Sequence, residues 1–233
     1  MRYFLICLIS IAGLYACTYK KSDSEKSPLQ AMEIKEEVEK EVSQNNPDTL
    51  IIDSRYTFAE SIEGSNAPQT VIDELELIDV IYVSTDEKLH QGQILTNKRL
   101  VDDIQALFQF MLDHNFVVEK AIPIVAYNWS DSLSMANNNT YSFCYRNISY
   151  SMHAKGLAID INPRFNPLRW KTQNLPNEPL GAVLDTTVNG TFHPEHIIVK
   201  EFRKRGFRWG HTFSKYFSNS NIHQELKLGF LMV

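Results

Sequence analysis

The segment "SMHAKGLAIDINP", Ser151 to Pro163, places His153 and Asp160 seven positions apart, with Gly156 between them. Imidazole and carboxylate side chains bind zinc through nitrogen and oxygen, at about 2.0–2.2 Å from the ion. After Gly156 the run "LAIDI" alternates, so Leu157, Ile159 and Ile161 are expected on the core face of a strand, with Ala158 and Asp160 on the other. Gly156 permits a turn before that strand, and a turn leading into a strand folds His153 back beside Asp160. Ala158, on the same face as the aspartate, leaves room for whatever is held there. The residues alone leave two outcomes open: the pair holds a metal ion, or the two side chains hydrogen-bond each other or face solvent.

A second histidine pair, His193 and His196 in "HPEH", supplies two of the three or four ligands that zinc needs. Pro194 between them points to a turn entering a helix. The cysteines are Cys7, Cys17 and Cys144. With Cys7 and Cys17 in the leader described below, Cys144 stands alone, which rules out a disulfide framework and reads as a small buried apolar residue.

The elements that must position these residues follow from periodicity. "ELELIDVIYV" and "KLHQGQILT" read as two strands joined by the turn "STDEK". "NKRLVDDIQALFQFMLDHNF" carries apolar residues at helical spacing (Leu100, Val101, Ile104, Leu107, Phe108, Met111), opened by Asn97 as a cap. "VEKAIPIVAY" reads as a strand, "NWSDSLSMANNNTYSF" as a polar loop, and "HIIVKEFRKRGF" as a helix that ends at Gly206. The basic run "KEFRKRGFR" is a solvated helix face. Strands and helices segregated in this order predict an α+β domain, a small antiparallel sheet with helices packed on it.

The first seventeen residues, "MRYFLICLISIAGLYAC", pair one basic residue with a short apolar run and a small residue before Cys17. This is the form of a secretory leader, too short for a good membrane span. "LYAC" resembles a bacterial lipoprotein cleavage box, which implies that Cys17 becomes a lipidated N-terminus. Several acyl chains on one cysteine anchor a protein firmly. Residues 18–70 read as a tether, mostly disordered, with a short helical segment around Ile34, Val38 and Val42. Residues 71–233 form the domain. The chain of 233 residues has a net charge of −5, which argues against a general nucleic-acid binder, since phosphates call for a basic surface. The expected location is the bacterial cell envelope, and the expected state a monomer.

"SMHAKGLAIDINP" matches the S-x-H-x-x-G-x-A-x-D pattern of the D-alanyl-D-alanine carboxypeptidase family of zinc metallopeptidases. "SMANNNTYSFCYR" resembles the preceding segment in the branch that includes L-alanyl-D-glutamate endopeptidases (subfamily C). "INPRFNP", "GFRWG" and "IHQEL" resemble its later motifs, so the similarity runs from about Leu75 to Leu226. The resemblance implies that the zinc site lies on the sheet, with His153, Asp160 and His223 as ligands. It implies a peptidase acting on the stem peptides of peptidoglycan, as a carboxypeptidase or an endopeptidase. Arg146 matches the family's arginine near the substrate, for oxyanion stabilisation or a bidentate hold on a peptide carboxylate. Ser151 is expected to bind substrate or a ligand, or to serve the turn, and Trp209 to pack beneath the site. One position departs from the pattern. The acidic general base expected three residues before the last histidine is Ser220, and neither Asp nor Glu occurs between Trp209 and His223. His211, Glu225 or no dedicated base at all then remain for proton transfer. The alternative reading is a degenerate homologue that binds zinc and muropeptides without efficient hydrolysis, or an envelope scaffold with a vestigial site.

Overall fold

The computed structural model describes residues 50–148, 151–212, 216–218 and 221–224, the last two stretches by their backbone. All belong to the second of two compact units, Pro47–Val233. The leader, Cys17, Ser220 and Glu225 lie outside the described residues.

The alternating apolar residues of the first predicted pair form a regular hairpin, β2 (Leu75–Val83) and β3 (Leu89–Asn97). Its register runs from Leu75 opposite Asn97 to Val83 opposite Leu89. The turn closes through Ser84 N–H to the Lys88 carbonyl at 3.0 Å. Period-two alternation sends Ile78, Val80 and Tyr82 to one face. That face meets helix α3 (Val101–Asp113), whose Ile104, Leu107, Phe108 and Met111 recur at helical spacing and are buried with them. Full burial of each such side chain contributes about 1.5–3 kcal/mol. Asn97 enters the helix as expected: its side-chain oxygen accepts the Arg99 N–H at 3.1 Å, capping the short 3-10 turn Lys98–Leu100 that leads into α3.

Ordered structure begins before Val71, inside the stretch read from sequence as tether. Strand β1 (Ile51–Ile52) pairs in parallel with the outer edge of β3, Ile51 opposite His90. Helix α1 (Phe58–Ser61) opens with a reciprocal cap between Thr57 and Glu60, and α2 (Gln69–Ile72) follows it. Asp53, just past β1, is held by His90 Nδ1 at 3.0 Å and by the Tyr82 hydroxyl, so the edge strand is fixed by polar contacts more than by area.

The expectation of one small antiparallel sheet gives way to four small sheets among the described residues, two of which contain a parallel pair. "VEKAIPIVAY" contributes only β4 (Lys120–Ala121), because Pro123 has no N–H for a ladder and starts the 3-10 turn Ile124–Tyr127. The loop "NWSDSLSMANNNTYSF" contains helix α4 (Asp131–Ala136), capped by the Ser130 hydroxyl, and strand β5 (Asn139–Thr140), which pairs with β4. A three-stranded antiparallel sheet brings together β6 (Ala158–Asp160), β8 (Phe207–Trp209) and β10 (Asn221–Gln224), in the order β6-β10-β8. Strands β7 (Leu168–Trp170) and β9 (Tyr216–Ser218) form a two-stranded antiparallel sheet.

Helix α5 (Ile197–Lys204) buries Ile198, Val199 and Phe202 against the same core as α3. Arg205 links the two helices, reaching Asp103 at 3.3 Å and Glu201 at 3.0 Å. The helix ends before Gly206, at φ +88, as its sequence predicts. His196 is its N-cap, accepting the Ile198 N–H at 3.2 Å, so the "HPEH" pair serves a turn into a helix.

Candidate active site

The site is built on the turn that Gly156 makes. A 3-10 turn, His153–Lys155, ends with Gly156 in the left-handed region at φ +65. Ser151 supports this turn, its hydroxyl accepting the Ala154 N–H at 3.3 Å. The Gly156 carbonyl accepts Asn97 N–H at 3.0 Å and the Thr96 hydroxyl at 3.0 Å, which seats the turn on the end of β3. The segment before the turn runs alongside: Cys144 N–H reaches the His153 carbonyl at 3.1 Å, and Tyr141 exchanges two backbone hydrogen bonds with Asp160 at 2.9 and 3.1 Å.

These supports bring His153 and Asp160 together as the sequence predicts. Nε2 of His153 lies 3.5 Å from Oδ2 of Asp160, with both side chains almost fully buried. His153 Nδ1 stands 2.7 Å from the Ser142 carbonyl. A carbonyl only accepts, so Nδ1 carries a proton, and Nε2 is the ring nitrogen turned toward the carboxylate. A buried imidazole nitrogen and a buried carboxylate oxygen this close either share a proton or hold a cation between them. Burial pushes the Asp160 carboxyl above its ordinary range; His153 draws it down, Asp131 adds to the rise, and Tyr141 and Arg146 oppose it.

The spacing fits a metal. Two ligand atoms about 2.0–2.2 Å from a tetrahedral ion are roughly 3.3–3.6 Å apart, and the observed separation is 3.5 Å. The hydrogen bond from the distal ring nitrogen to a carbonyl is the support that metal-binding histidines use to fix ring and tautomer. Among the described residues, no group of three or more His, Cys, Asp and Glu side chains gathers as a metal cluster. The third expected ligand, His223, enters through its backbone: residue 223 pairs with Ala158 and residue 221 with Asp160. Opposed residues of an antiparallel pair share a face, and so do residues two apart. Position 223 is therefore on the face of the sheet that carries Ala158 and Asp160.

Ala158, Ile159 and Asp160 are all buried, so the strand is covered on both faces. Trp209 packs in the core as expected, with the His211 ring stacked on it at 4.5 Å between centroids. Arg146 Nη1 makes an ion pair with Asp131 at 3.1 Å, at the first turn of α4. The Tyr141 hydroxyl stands between Asp131 Oδ1 and Asp160 Oδ2, the latter at 3.1 Å. Neither Asp131 nor Tyr141 is singled out by the sequence. The available signal was an acidic residue directly after the cap Ser130, which marks a helix start and so would have replaced the loop by a short helix.

The asparagines around the motif are buried scaffolding. Asn162, at φ +45, donates to the carbonyls of Val117 (2.7 Å) and Gly190 (3.1 Å) and accepts from Glu119 N–H at 2.9 Å. Asn166 donates to the Gly190 carbonyl at 2.8 Å and accepts from Phe192 N–H at 2.6 Å. They tie the strand end to two further segments, around residues 117–119 and 190–192.

No curated protein and no solved structure matches the chain. A family model described as D-alanyl-D-alanine carboxypeptidase matches residues 146–225, the stretch that holds Arg146, His153, Asp160 and His223. Over residues 146–225 the chain is thus similar to the D-alanyl-D-alanine carboxypeptidase family of peptidases.

Proposed function

We propose that this protein is a zinc-dependent peptidase that hydrolyses peptidoglycan stem peptides at the bacterial cell envelope. The observation that carries the reading is the buried pair His153–Asp160, 3.5 Å apart, within the segment that matches the peptidase family. His153 and Asp160, with His223 as the third ligand, would hold the ion. A zinc ion bound there would supply a Lewis acid for the scissile carbonyl and lower the pKa of a water molecule to about 7. Three protein ligands leave a position for water or substrate, as catalytic sites do.

The chain's own residues do the rest. The Ser142 carbonyl keeps a proton on Nδ1 of His153, so Nε2 is the nitrogen that would face the ion. Arg146 offers a fixed positive charge to a substrate carboxylate or to the oxygen that gains charge in the transition state. Ser151 supports the turn and adds a hydroxyl near the substrate path. Proton transfer falls to His211, to Glu225 or to no dedicated base, because the Ser220 hydroxyl is a poor acceptor near neutral pH. Cys17, lipidated, would anchor the protein to a membrane, and the domain acts as a monomer.

A second reading is a homologue that binds zinc and muropeptides without efficient hydrolysis, favoured by serine at position 220 and by the lack of any acid between Trp209 and His223. One experiment separates the two. Purified protein and His153→Ala are assayed for zinc content, then incubated with sacculi and the products identified by mass spectrometry. Stoichiometric zinc in the natural protein alone, with chelator-sensitive release of D-alanine or cut stems, supports the peptidase. Zinc and muropeptide binding with no product supports the second reading, and absence of zinc from the natural protein defeats both.

A further inference from the structure

We infer that Asp131 is the positioning residue of this site, holding Arg146 in place for an anionic group of the substrate. The inference rests on the peptidase reading above. Asp131 uses both carboxylate oxygens on residues of the motif segment. Oδ2 forms an ion pair with Arg146 Nη1 at 3.1 Å, and Oδ1 meets the Tyr141 hydroxyl, which also reaches Asp160 Oδ2 at 3.1 Å. One side chain at the start of α4 thus ties the substrate-facing cation to the expected metal carboxylate.

An acid in the first turn of a helix has an ordinary role, a favourable interaction with the helix dipole. Here the carboxylate is turned onto partners ten and fifteen positions along the chain. The guanidinium offers five N–H groups. Among the described residues its ion-pair partner is Asp131, met through Nη1, and Nε is buried with no hydrogen-bond partner. The Arg146 side chain is about one-third exposed, at 36%. A fixed fork with donors to spare suits a carboxylate, and the C-terminal carboxylate of a D-alanyl-D-alanine stem is the anion that a carboxypeptidase substrate presents.

The test is a double-mutant cycle on the full domain with Asp131→Asn, Arg146→Ala and the pair combined. The ligand is a synthetic stem pentapeptide ending in D-alanyl-D-alanine, bound by calorimetry with chelator present so that no turnover occurs. The Arg146 Nε–H resonance, identified by its loss in Arg146→Ala, is followed in parallel by nitrogen-15 NMR. Each single variant is expected to weaken binding by about tenfold, the effect of losing one charge-assisted hydrogen bond. The pair should be no weaker than Arg146→Ala alone, and the resonance should broaden or shift in Asp131→Asn. Losses that multiply, or an unmoved resonance with unchanged affinity, overturn the inference. If the natural protein binds no stem peptide, the peptidoglycan reading fails, and the resonance in Asp131→Asn still decides whether the carboxylate fixes Arg146. Asp131→Glu, which keeps the charge, restores both readouts if positioning is the role; a pure helix-start effect changes melting temperature and neither of them.

Discussion

The Gly156 carbonyl accepts the Asn97 backbone N–H at 3.0 Å, tying the turn that carries His153 to the last residue of β3. The approach is close because Gly156 has no side chain. A Cβ there would lie 2.7 Å from the Asn97 nitrogen and 2.9 Å from Leu75 Cδ2, and the residue sits at φ +65. Left-handed backbone costs an ordinary residue about 1–2 kcal/mol, and overpacking adds about 1–3. Gly156→Ala is therefore expected to lose about 2–5 kcal/mol in urea denaturation and, on the proposed zinc site, to weaken metal binding because His153 leaves its place beside Asp160. A variant that keeps full stability and full zinc affinity would show that the turn does not set the site.

Cys144 gives the pH prediction. Burial, then the charge of Asp131, pushes its thiol from 9.0 up to about 12, with Arg146 pulling the other way. The folded state therefore favours the protonated thiol. The contribution to stability is fully present below the unfolded value of about 9 and is lost as pH rises toward 12. At pH 8 the folded protein should react with a thiol reagent far more slowly than the urea-unfolded chain. Stability should fall between pH 9 and 11, and a Cys144→Ala variant should show a smaller fall over the same interval. Equal labelling of folded and unfolded protein at pH 8 would contradict this.

Local pattern made much of this architecture legible. The hairpin β2–β3 was visible because its alternation is regular and its turn polar. The helix α3 was visible because its stripe is long and Asn97 marks its start. Likewise, the turn at Gly156 and the meeting of His153 with Asp160 follow from a glycine and a period of two. What escaped reading has long-range causes. β1 and β5 are two-residue strands that exist because a neighbouring edge accepts them, and nothing in "II" or "NT" announces that. Asp131 reaches the site through Tyr141 and Arg146, across a helix that is only six residues long. The asparagines of "NNNT" and "INPRFNP" looked like loop polarity, whereas Asn139, Asn162 and Asn166 are fully buried and hydrogen-bonded to backbone.

Gly92 tests how tightly the two halves of the hairpin region are joined. It lies in β3, where β4 passes over it, and a Cβ would fall 2.1 Å from the Ala121 carbonyl oxygen and 2.9 Å from the Tyr82 hydroxyl. That hydroxyl accepts the Ala121 N–H at 3.0 Å and donates to Asp53, so moving Ala121 away from Gly92 strains its bond to an anchored hydroxyl. Gly92→Ala is expected to cost about 3 kcal/mol or more, at the upper end of overpacking effects. Tyr82→Phe, which removes the hydroxyl and keeps the ring, should cost about 1–3 kcal/mol from the unpaired Ala121 N–H. Chemical denaturation of both variants measures this. A neutral Gly92→Ala would mean that β4 does not cross β3 closely in solution.

Serine at position 220 sets the sharpest expectation about activity. A positioned acid or base contributes typically ~10²–10⁴-fold to a proton-transfer step, and the residue that the family places there is acidic. Ser220 stands three positions before His223, in the stretch that leads into the strand paired with β6. If the missing carboxylate limits turnover, Ser220→Asp should raise the rate of stem-peptide cleavage at least ~10-fold, with the gain appearing in kcat and not in KM. The same change in a His153→Ala background should give nothing if His153 holds the metal as proposed. Unchanged turnover in Ser220→Asp would mean that another group already carries the proton. His211→Ala and Glu225→Gln then identify it, since only the true base should lose activity while keeping its zinc.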